Sequence, residues 1–189
     1  MNFLAHAYLS RNSRHLMVGN FIGDFVKGNQ ILQYDEGIVE GILMHRKIDD
    51  FTDNHVVFKR SRKRIRHKYR HYSGVVIDLF YDHILAKNWN NYAEKSLDKF
   101  ASEVYTVIQD HIQIIPEKAR YMFPYMMKYN WLVNYSTLEG IDQSLKGLSK
   151  RTNHRSGMEH AATDLAEKYK HFENDFKEFF PEIMDFISS

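Results

Sequence analysis

Five side chains that can bind a cation or transfer a proton lie within one short stretch, residues 37–55, GIVEGILMHRKIDDFTDNH. In chain order they are His45, Asp49, Asp50, Asp53 and His55. Imidazoles and carboxylates are ligands of divalent first-row cations, and the same groups act as general acids and bases. Such a set is able to hold a cation that activates a water molecule.

Helix geometry divides these side chains into an inward and an outward group. Successive helical residues advance by about 100°, which places His45 and Asp49 in the same arc as Ile42. Asp50 falls on the polar arc instead. Because His45 and Asp49 are four residues apart, their side chains are neighbours on one face. The alternative to a cation site is a buried His–Asp hydrogen bond that satisfies itself.

A second stretch, residues 74–89, is apolar around nearly its whole circumference, GVVIDLFYDHILAKNW, which predicts a central and buried helix. Asp78 and Asp82 share one face of it, and His83 follows directly. Buried carboxylates are costly unless a cation or a base neutralises them. We therefore expect Asp82 and His83 to bind a metal, with Asp78 beside them either as a hydrogen-bond partner of the ligands or as a base. The alternative is an ion pair with an arginine such as Arg46.

Two more polar side chains lie among apolar neighbours near the start of the chain. Asp24, in GNFIGDFVKGN, is either a further oxygen ligand or an aspartate that caps a turn. His6, in MNFLAHAYL, is either a ligand or a core histidine that satisfies its own hydrogen bonds. Together, the inward His and Asp residues indicate one or two cations, for which Mn²⁺, Mg²⁺, Fe²⁺ and Zn²⁺ are all suitable.

Composition narrows the class of protein further. The 189 residues include no cysteine, which excludes disulfides, thiolate metal sites and a cysteine nucleophile. Hydrophobic residues make up 43% and aromatic residues 14%, as in globular proteins. No apolar run approaches the roughly 18 residues of a membrane span, and the first residues lack the basic lead of a signal peptide. We therefore expect a cytoplasmic protein without a membrane span.

Long periodic segments separated by few helix breakers predict an all-α fold. The length suits one domain over residues 1–189. Pro124 is expected to kink or break the seventh helix, and the polar segment 149–157 is expected to be a connection. The predicted helices cover residues 2–9, 13–28, 36–53, 55–71, 74–90, 94–113, 117–133, 137–148 and 157–187.

Positive charge is concentrated in residues 59–71, KRSRKRIRHKYRH, which contain eight Lys or Arg and no acid. Over the rest of the chain, acidic residues outnumber basic ones. A basic helix on an acidic body predicts an anionic partner, although an ordinary solvated face is the alternative. Its one aromatic residue, Tyr69, offers little base stacking, which disfavours nucleic acid. The candidate docking residues are Lys59, Arg60, Arg62, Lys63, Arg64 and Arg66.

Several blocks of the sequence resemble the acyl carrier protein phosphodiesterase family. They are MNFLAHAYLS, GNFIGDFVKGN, GILMHRKIDDFTDNH and DLFYDHILAKNW, and the later NWLVNYSTLEGIDQSLKGLSKR resembles the family's C-terminal segment. The resemblance covers most of the chain, with the blocks in the same order. It implies a single-domain multi-helix bundle that is distantly related to the HD phosphohydrolases.

The resemblance also implies a reaction and a partner. It implies a manganese-dependent hydrolase that cuts the phosphodiester between 4′-phosphopantetheine and a serine of holo-acyl carrier protein. Because carrier proteins are strongly acidic, we expect the carrier to dock on the basic helix. The Asp82–His83 order departs from the usual His–Asp order of the HD proteins. Arg46 is a candidate for contacting the phosphate, and residues 121–132 could line a groove for the pantetheine arm or simply pack in the core. The positions that match the family's polar motifs are His6, Asp24, His45, Arg46, Asp49, Asp53, Asp82 and His83.

Two other functions use the same residues. A metal-dependent phosphohydrolase of nucleotides or other small phosphodiesters would have the same ligand set, although the basic helix favours a macromolecular substrate. A non-catalytic nucleic-acid-binding protein would use residues 59–71 but would leave the buried aspartates unexplained. Metal content and substrate assays distinguish these alternatives.

Overall fold

The computed structural model describes residues 1–10 and 13–188, and every regular element within these ranges is helical. The predicted all-α class is therefore confirmed. Short 3₁₀ turns connect several of the helices. The α-helices described are α1 (Phe3–Leu9), α2 (Arg14–Ile22), α3 (Glu36–Asn54), α4 (Val56–Tyr69), α5 (Ser73–Lys87), α6 (Leu97–Asp110), α7 (Glu117–Lys128), α8 (Trp131–Asn134), α9 (Leu138–Arg151), α10 (Ala161–Glu167) and α11 (Tyr169–Ser188).

Polar side chains cap several of these helices at their starts. The hydroxyls of Ser13, Ser96 and Thr137 each accept the backbone N–H three residues further on. The first backbone N–H groups of a helix have no partner inside it, so such caps stabilise the first turn. The polar connections between apolar segments thus help to set where α2, α6 and α9 begin.

Helix α5 lies in the middle of the core, as its apolar circumference predicts. From Val76 to Ala86 every residue except Asp78 is buried. The helix packs against α1, α4, α9 and α11, and Phe80 meets Phe172 of α11 edge-on with ring centroids 5.0 Å apart. Each fully buried aromatic or aliphatic side chain contributes roughly 1.5–3 kcal/mol, so α5 anchors the helices around it.

Three predicted helices have different boundaries in the structure. The helix predicted over 13–28 ends at Ile22 and is followed by a 3₁₀ turn, Gly23–Phe25, which turns the chain at Asp24. Helix α7 continues through Pro124, and the break falls at Asn130, whose φ of 40° is left-handed. A proline removes one helical hydrogen bond, whereas a left-handed residue ends the helix outright.

The third changed boundary lies at the C-terminal end, where the helix predicted over 157–187 is divided into α10 and α11. Helix α9 also extends to Arg151, so the expected polar connection shrinks to a turn in which Asn153 and His154 have positive φ. No helix within the described ranges combines the length and hydropathy that crossing a membrane requires.

Candidate functional site

The site is built where α2 and α3 cross in near contact. A Cβ at Gly19 would lie 2.1 Å from the carbonyl oxygen of Ile38, and a Cβ at Gly41 would lie 2.5 Å from the carbonyl oxygen of Leu16. Only glycine allows two helix backbones to approach this closely at both positions. The crossing brings the following residue of α2, Asn20, against α3.

Two imidazoles stack beside this crossing. His6 of α1 and His45 of α3 have ring centroids 4.2 Å apart and planes 18° apart. The Nδ1 atom of His6 lies 2.7 Å from Oδ1 of Asn20, and the Nδ1 atom of His45 lies 2.8 Å from the Asn20 backbone oxygen. Both rings are buried. A single residue of α2 therefore orients both imidazoles.

Asn20 also determines which nitrogen of each ring carries the proton. Its Nδ2 donates to the backbone oxygen of His6 at 3.0 Å and to Oγ of Ser10 at 3.1 Å, which leaves Oδ1 to accept. The two atoms that face the Nδ1 positions are thus both acceptors, so each Nδ1 is the donor. In a neutral ring, the lone pair is then on Nε2, the arrangement found in metal-binding histidines.

Two carboxylates face these Nε2 atoms. Asp49 places Oδ1 3.2 Å from Nε2 of His6 and Oδ2 3.1 Å from Nε2 of His45, while Oδ1 of Asp24 is 3.4 Å from Nε2 of His45. Both Nε2 atoms are buried, and neither has a partner with hydrogen-bond geometry in the described part of the chain. Buried polar atoms are rarely left in this state.

This arrangement fits a divalent cation. One ligand atom each from His6, His45 and Asp49 lie within 4.8 Å of one another, and a pocket of about 30 Å³ adjoins the two rings and Asp24. Two imidazole nitrogens with carboxylate oxygens suit Mn²⁺, Fe²⁺ or Zn²⁺, and such an ion would satisfy the two orphaned nitrogens. The prediction that His45 and Asp49 share an inward face agrees with this geometry.

The same contacts give the two histidines opposite protonation behaviour. Burial and, to a smaller extent, the neighbouring imidazole of His45 lower the pKa of His6 to about 4, although Asp49 acts in the opposite direction. Burial also disfavours the charged form of His45, but Asp24 and Asp49 outweigh it and raise its pKa to about 9. Burial acts to raise the pKa of Asp49, yet the two imidazoles hold that pKa well below its usual range. Without a cation, one proton therefore remains on His45.

The structure does not bring Asp82 and His83 into this cluster. Asp82 is fully buried and accepts the N–H groups of Leu4 and Ala5 at 2.8 and 3.2 Å, so it holds the first turn of α1. Nδ1 of His83 lies 2.7 Å from the Tyr135 backbone oxygen. Placing these two side chains beside His45 as ligands therefore needs correction, because the candidate metal cluster consists of His6, His45 and Asp49. Backbone N–H groups satisfy Asp82, whereas the buried Nε2 of His83 has no hydrogen-bond partner in the described part of the chain.

The predicted catalytic residues surround the cluster at a greater distance. Oδ1 of Asp78 lies 2.9 Å from the backbone nitrogen of Met1, which is in turn 3.8 Å from Asp49. Burial raises the pKa of Asp78. Asp53 is largely exposed, and its Oδ1 is 3.5 Å from Nη1 of Arg62. Asp78 is therefore linked to Asp49 of the cluster through the backbone nitrogen of Met1.

Arg46 is turned toward the segment that carries Asp24. Its Nη2 donates to the backbone oxygen of Val26 at 3.2 Å. The side chain therefore braces the chain just after Asp24, whereas the sequence analysis expected it to contact a phosphate or an acid.

The basic helix divides into paired and unpaired charges. Arg60 and Arg64 both contact the buried carboxylate of Asp175 on α11, with Nε–oxygen distances of 2.8 and 3.1 Å. Lys59, Lys63 and Arg66 are exposed, and they form no ion pair within the described part of the chain. Arg60 and Arg64 therefore have partners within the chain, and the docking role of the six residues stays a prediction.

Sequence analysis overlooked two residues of the site, Asn20 and Gly23. A Cβ at Gly23 would lie 2.3 Å from Cγ of His45, so the absence of a side chain makes room for the ring. Both residues lie in the GNFIGDFVKGN block that drew attention to Asp24. The sequence did contain a signal for Asn20, which is the one amide in the apolar stretch LMVGNFI. An inward Asn needs several hydrogen-bond partners.

The fold is all-α, and two imidazoles and two carboxylates converge at a small pocket. These features define the class as a helical protein with a candidate His/Asp metal site. Comparison with known proteins agrees with this class. The family model described as acyl carrier protein phosphodiesterase matches residues 1–183, and the chain therefore belongs to that family. No solved structure matches the chain.

Individual relatives align over nearly the whole length of both chains. A protein of Photorhabdus laumondii named acyl carrier protein phosphodiesterase is 33% identical over 98% of this chain and 94% of its own. Proteins of the same name from Yersinia enterocolitica and Serratia proteamaculans are 31% and 29% identical, each over 97% of this chain and 96% of its own.

Proposed function

We propose that this chain hydrolyses the phosphodiester between 4′-phosphopantetheine and a serine of an acyl carrier protein. The products are the apo-carrier and free 4′-phosphopantetheine. Family membership supports the reaction class, and one structural observation carries the rest. The buried Nε2 atoms of His6 and His45 converge on Asp49 without hydrogen-bonded partners, as a hydrolytic metal site requires.

We assign the metal to the cluster of His6, His45 and Asp49, with Asp24 as a further ligand. Mn²⁺ is the proposed ion, and Mg²⁺, Fe²⁺ and Zn²⁺ are the alternatives. A bound divalent cation lowers the pKa of water and polarises a phosphoryl oxygen. In the neutral form of each ring Nε2 is the ligand atom, because Nδ1 keeps its proton and donates a hydrogen bond to Asn20. A cation would displace the second proton of His45.

Asp78 is the carboxylate assigned to proton transfer. Burial raises its pKa, which brings its proton affinity closer to neutral pH, where a general base works best. Asp78 takes the proton of the attacking water as oxygen bonds to phosphorus. The bond from phosphorus to the carrier serine breaks, and the serine oxygen leaves and takes up the proton that Asp78 received. Arg46 acts indirectly, by holding the segment that carries Asp24.

The acidic carrier docks through the unpaired cations of α4. Lys59, Lys63 and Arg66 are exposed, and charge complementarity of this kind speeds association. Arg62 and Asp53 are assigned to the edge of this surface, where their contact joins α4 to the end of α3. We further propose that residues 1–189 act as one domain, distantly HD-like, since the helices share one continuous core.

Mass spectrometry of holo-acyl carrier protein, incubated with this protein and Mn²⁺ or EDTA, tests the function. We expect loss of the phosphopantetheine mass with Mn²⁺ alone. Asp49→Asn should abolish that loss, and Asp50→Asn is the matched control because Asp50 is exposed and contacts Asn54 instead. An unchanged carrier mass with metal-loaded protein would overturn the proposal and leave small phosphodiesters as the substrates to assay.

A further inference from the structure

A second and larger cavity adjoins the candidate metal site formed by His6, His45 and Asp49. It is a solvent-open cavity of about 560 Å³ between the N-terminal residues, α5 and the α7–α9 segment. Asn2, Phe3 and Asp24 line this cavity and also the small pocket that holds the two imidazoles. The cluster and the cavity are therefore adjacent, with these shared residues between them.

The cavity walls are mainly apolar, with a few polar groups. Phe25, Leu79, Met122 and Trp131 form part of the apolar lining. Cavities of roughly 300–1,000 Å³ with mostly apolar walls and a few convergent polar groups are typical of sites that bind small organic molecules. This cavity therefore has the size and lining of a ligand site, in contrast to the 30 Å³ pocket beside the histidines.

One face of α9 supplies both room and hydrogen-bonding groups. Gly140, Gln143, Ser144, Gly147 and Arg151 recur at helical spacing and all line the cavity. A Cβ added at Gly147 would meet no atom within 4 Å, so this glycine leaves open space. Within the described part of the chain, the side chains of Gln143 and Arg151 form no hydrogen bond or ion pair. Both are therefore available to a ligand.

We propose that this cavity binds the pantetheine arm of the substrate while its phosphate lies at the His6–His45–Asp49 cluster. The inference rests on the proposed function. Pantetheine alternates apolar segments with two amides and ends in a thiol, which matches apolar walls with scattered amide and guanidinium donors. The arm enters past Asp24 and extends along α9 toward Gly147.

Filling the cavity from Gly147 tests the inference. Gly147→Leu places a side chain in the open space, and leucine has a higher helix propensity than glycine, so the variant should fold. We expect the KM for holo-carrier to rise at least tenfold and the affinity for free 4′-phosphopantetheine, measured by calorimetry, to fall at least tenfold. Metal-dependent hydrolysis of bis(p-nitrophenyl) phosphate should be unchanged, because the cluster is untouched.

Lys150→Leu is the matched control, since it adds the same side chain to an exposed position of α9 that does not line the cavity. It should behave as the unmodified protein in all three assays. Unchanged carrier KM and phosphopantetheine affinity in Gly147→Leu would overturn the cavity assignment even if the carrier is hydrolysed. Conversely, binding of 4′-phosphopantetheine that Gly147→Leu weakens, without any carrier hydrolysis, would overturn the proposed function and support the cavity.

Discussion

His6 donates from Nδ1 to the side-chain oxygen of Asn20 at 2.7 Å, and this contact leaves its Nε2 pointing at Asp49. The Asn20 amide that accepts this hydrogen bond is itself held in place, because its Nδ2 donates to Ser10 and to the His6 backbone oxygen. The position and protonation state of a candidate metal ligand thus depend on a residue that touches no candidate cation.

Replacing Asn20 by Ala should lower Mn²⁺ affinity about 10- to 100-fold, the usual cost of losing a partner behind a ligating histidine. Calorimetric titration of the purified protein with Mn²⁺ measures the change. Nitrogen NMR of the metal-free protein should also show that the neutral His6 ring no longer keeps its proton on Nδ1 alone and becomes a mixture of two tautomers. Ser10→Ala removes one of the two acceptors that hold the Asn20 amide, so it should lower Mn²⁺ affinity by less than Asn20→Ala does. Wild-type affinity with an unchanged His6 tautomer in Asn20→Ala would contradict this role.

Metal binding should release a proton and strengthen as pH rises. The pKa of His45 is raised to about 9 by Asp24 and Asp49, which outweigh burial, so this ring is charged at pH 7. The pKa of His6 is lowered by burial to about 4, so that ring is already neutral. Because a cation must displace the His45 proton, affinity should increase by up to about tenfold per pH unit between pH 6 and 9.

Calorimetry in buffers of different ionisation enthalpy counts the released protons, and about one is expected. His171→Gln, which alters an exposed histidine of α11, should leave that count unchanged. Metal affinity that does not vary over this pH range would show that His45 is not a ligand.

Adding a methyl group at Gly23 should disrupt the site. A Cβ there lies 2.3 Å from Cγ of His45, so Gly23→Ala forces the ring away from Asp49. We expect Mn²⁺ affinity to fall by at least about tenfold, as in other losses of ligand orientation. Gly147→Ala is the control, because its added Cβ meets nothing within 4 Å. Equal metal affinities in the two variants would contradict the crowding argument.

Asp82 should contribute to stability through the start of α1. Removing its carboxylate leaves the buried N–H groups of Leu4 and Ala5 without acceptors, so Asp82→Ala should reduce the free energy of unfolding by about 1–3 kcal/mol. Urea denaturation measures the change. Asp35→Ala alters another residue at a helix start, but one whose side chain makes no capping bond. Its effect should stay within about 0.5 kcal/mol, and an equal loss in both variants would argue against the capping role.

Charge reversal on the exposed face of α4 should weaken carrier binding. Lys63→Glu combined with Arg66→Glu is expected to raise the carrier KM about tenfold at low salt without changing kcat. The difference should shrink at 1 M salt, where the Debye length is about 3 Å. Lys150→Glu, on α9, is the control with the same type of charge change. A KM for the carrier that is insensitive to both salt and charge reversal would place docking elsewhere.

Much of the architecture could be predicted from the sequence because it depends on local periodicity. The apolar circumference of residues 74–89 indicated a central helix, and α5 is that helix. His45 and Asp49 could be paired because a spacing of four residues within one helix needs no knowledge of the rest of the fold. The boundaries at Ile22 and Asn130 were not predicted, since they depend on turns of the chain that periodicity does not encode.

The sequence by itself therefore determined the helical class, the polar residues that need a partner, and the family. The tertiary structure decided which partners they have. Asp82 is as polar and as buried as any ligand, yet α1 brings two N–H groups to it across the fold. His6 reaches Asp49 because Gly19 and Gly41 let two helices cross closely enough for Asn20 to hold both rings. Such contacts join residues far apart in the chain, and only the packing of the helices determines them.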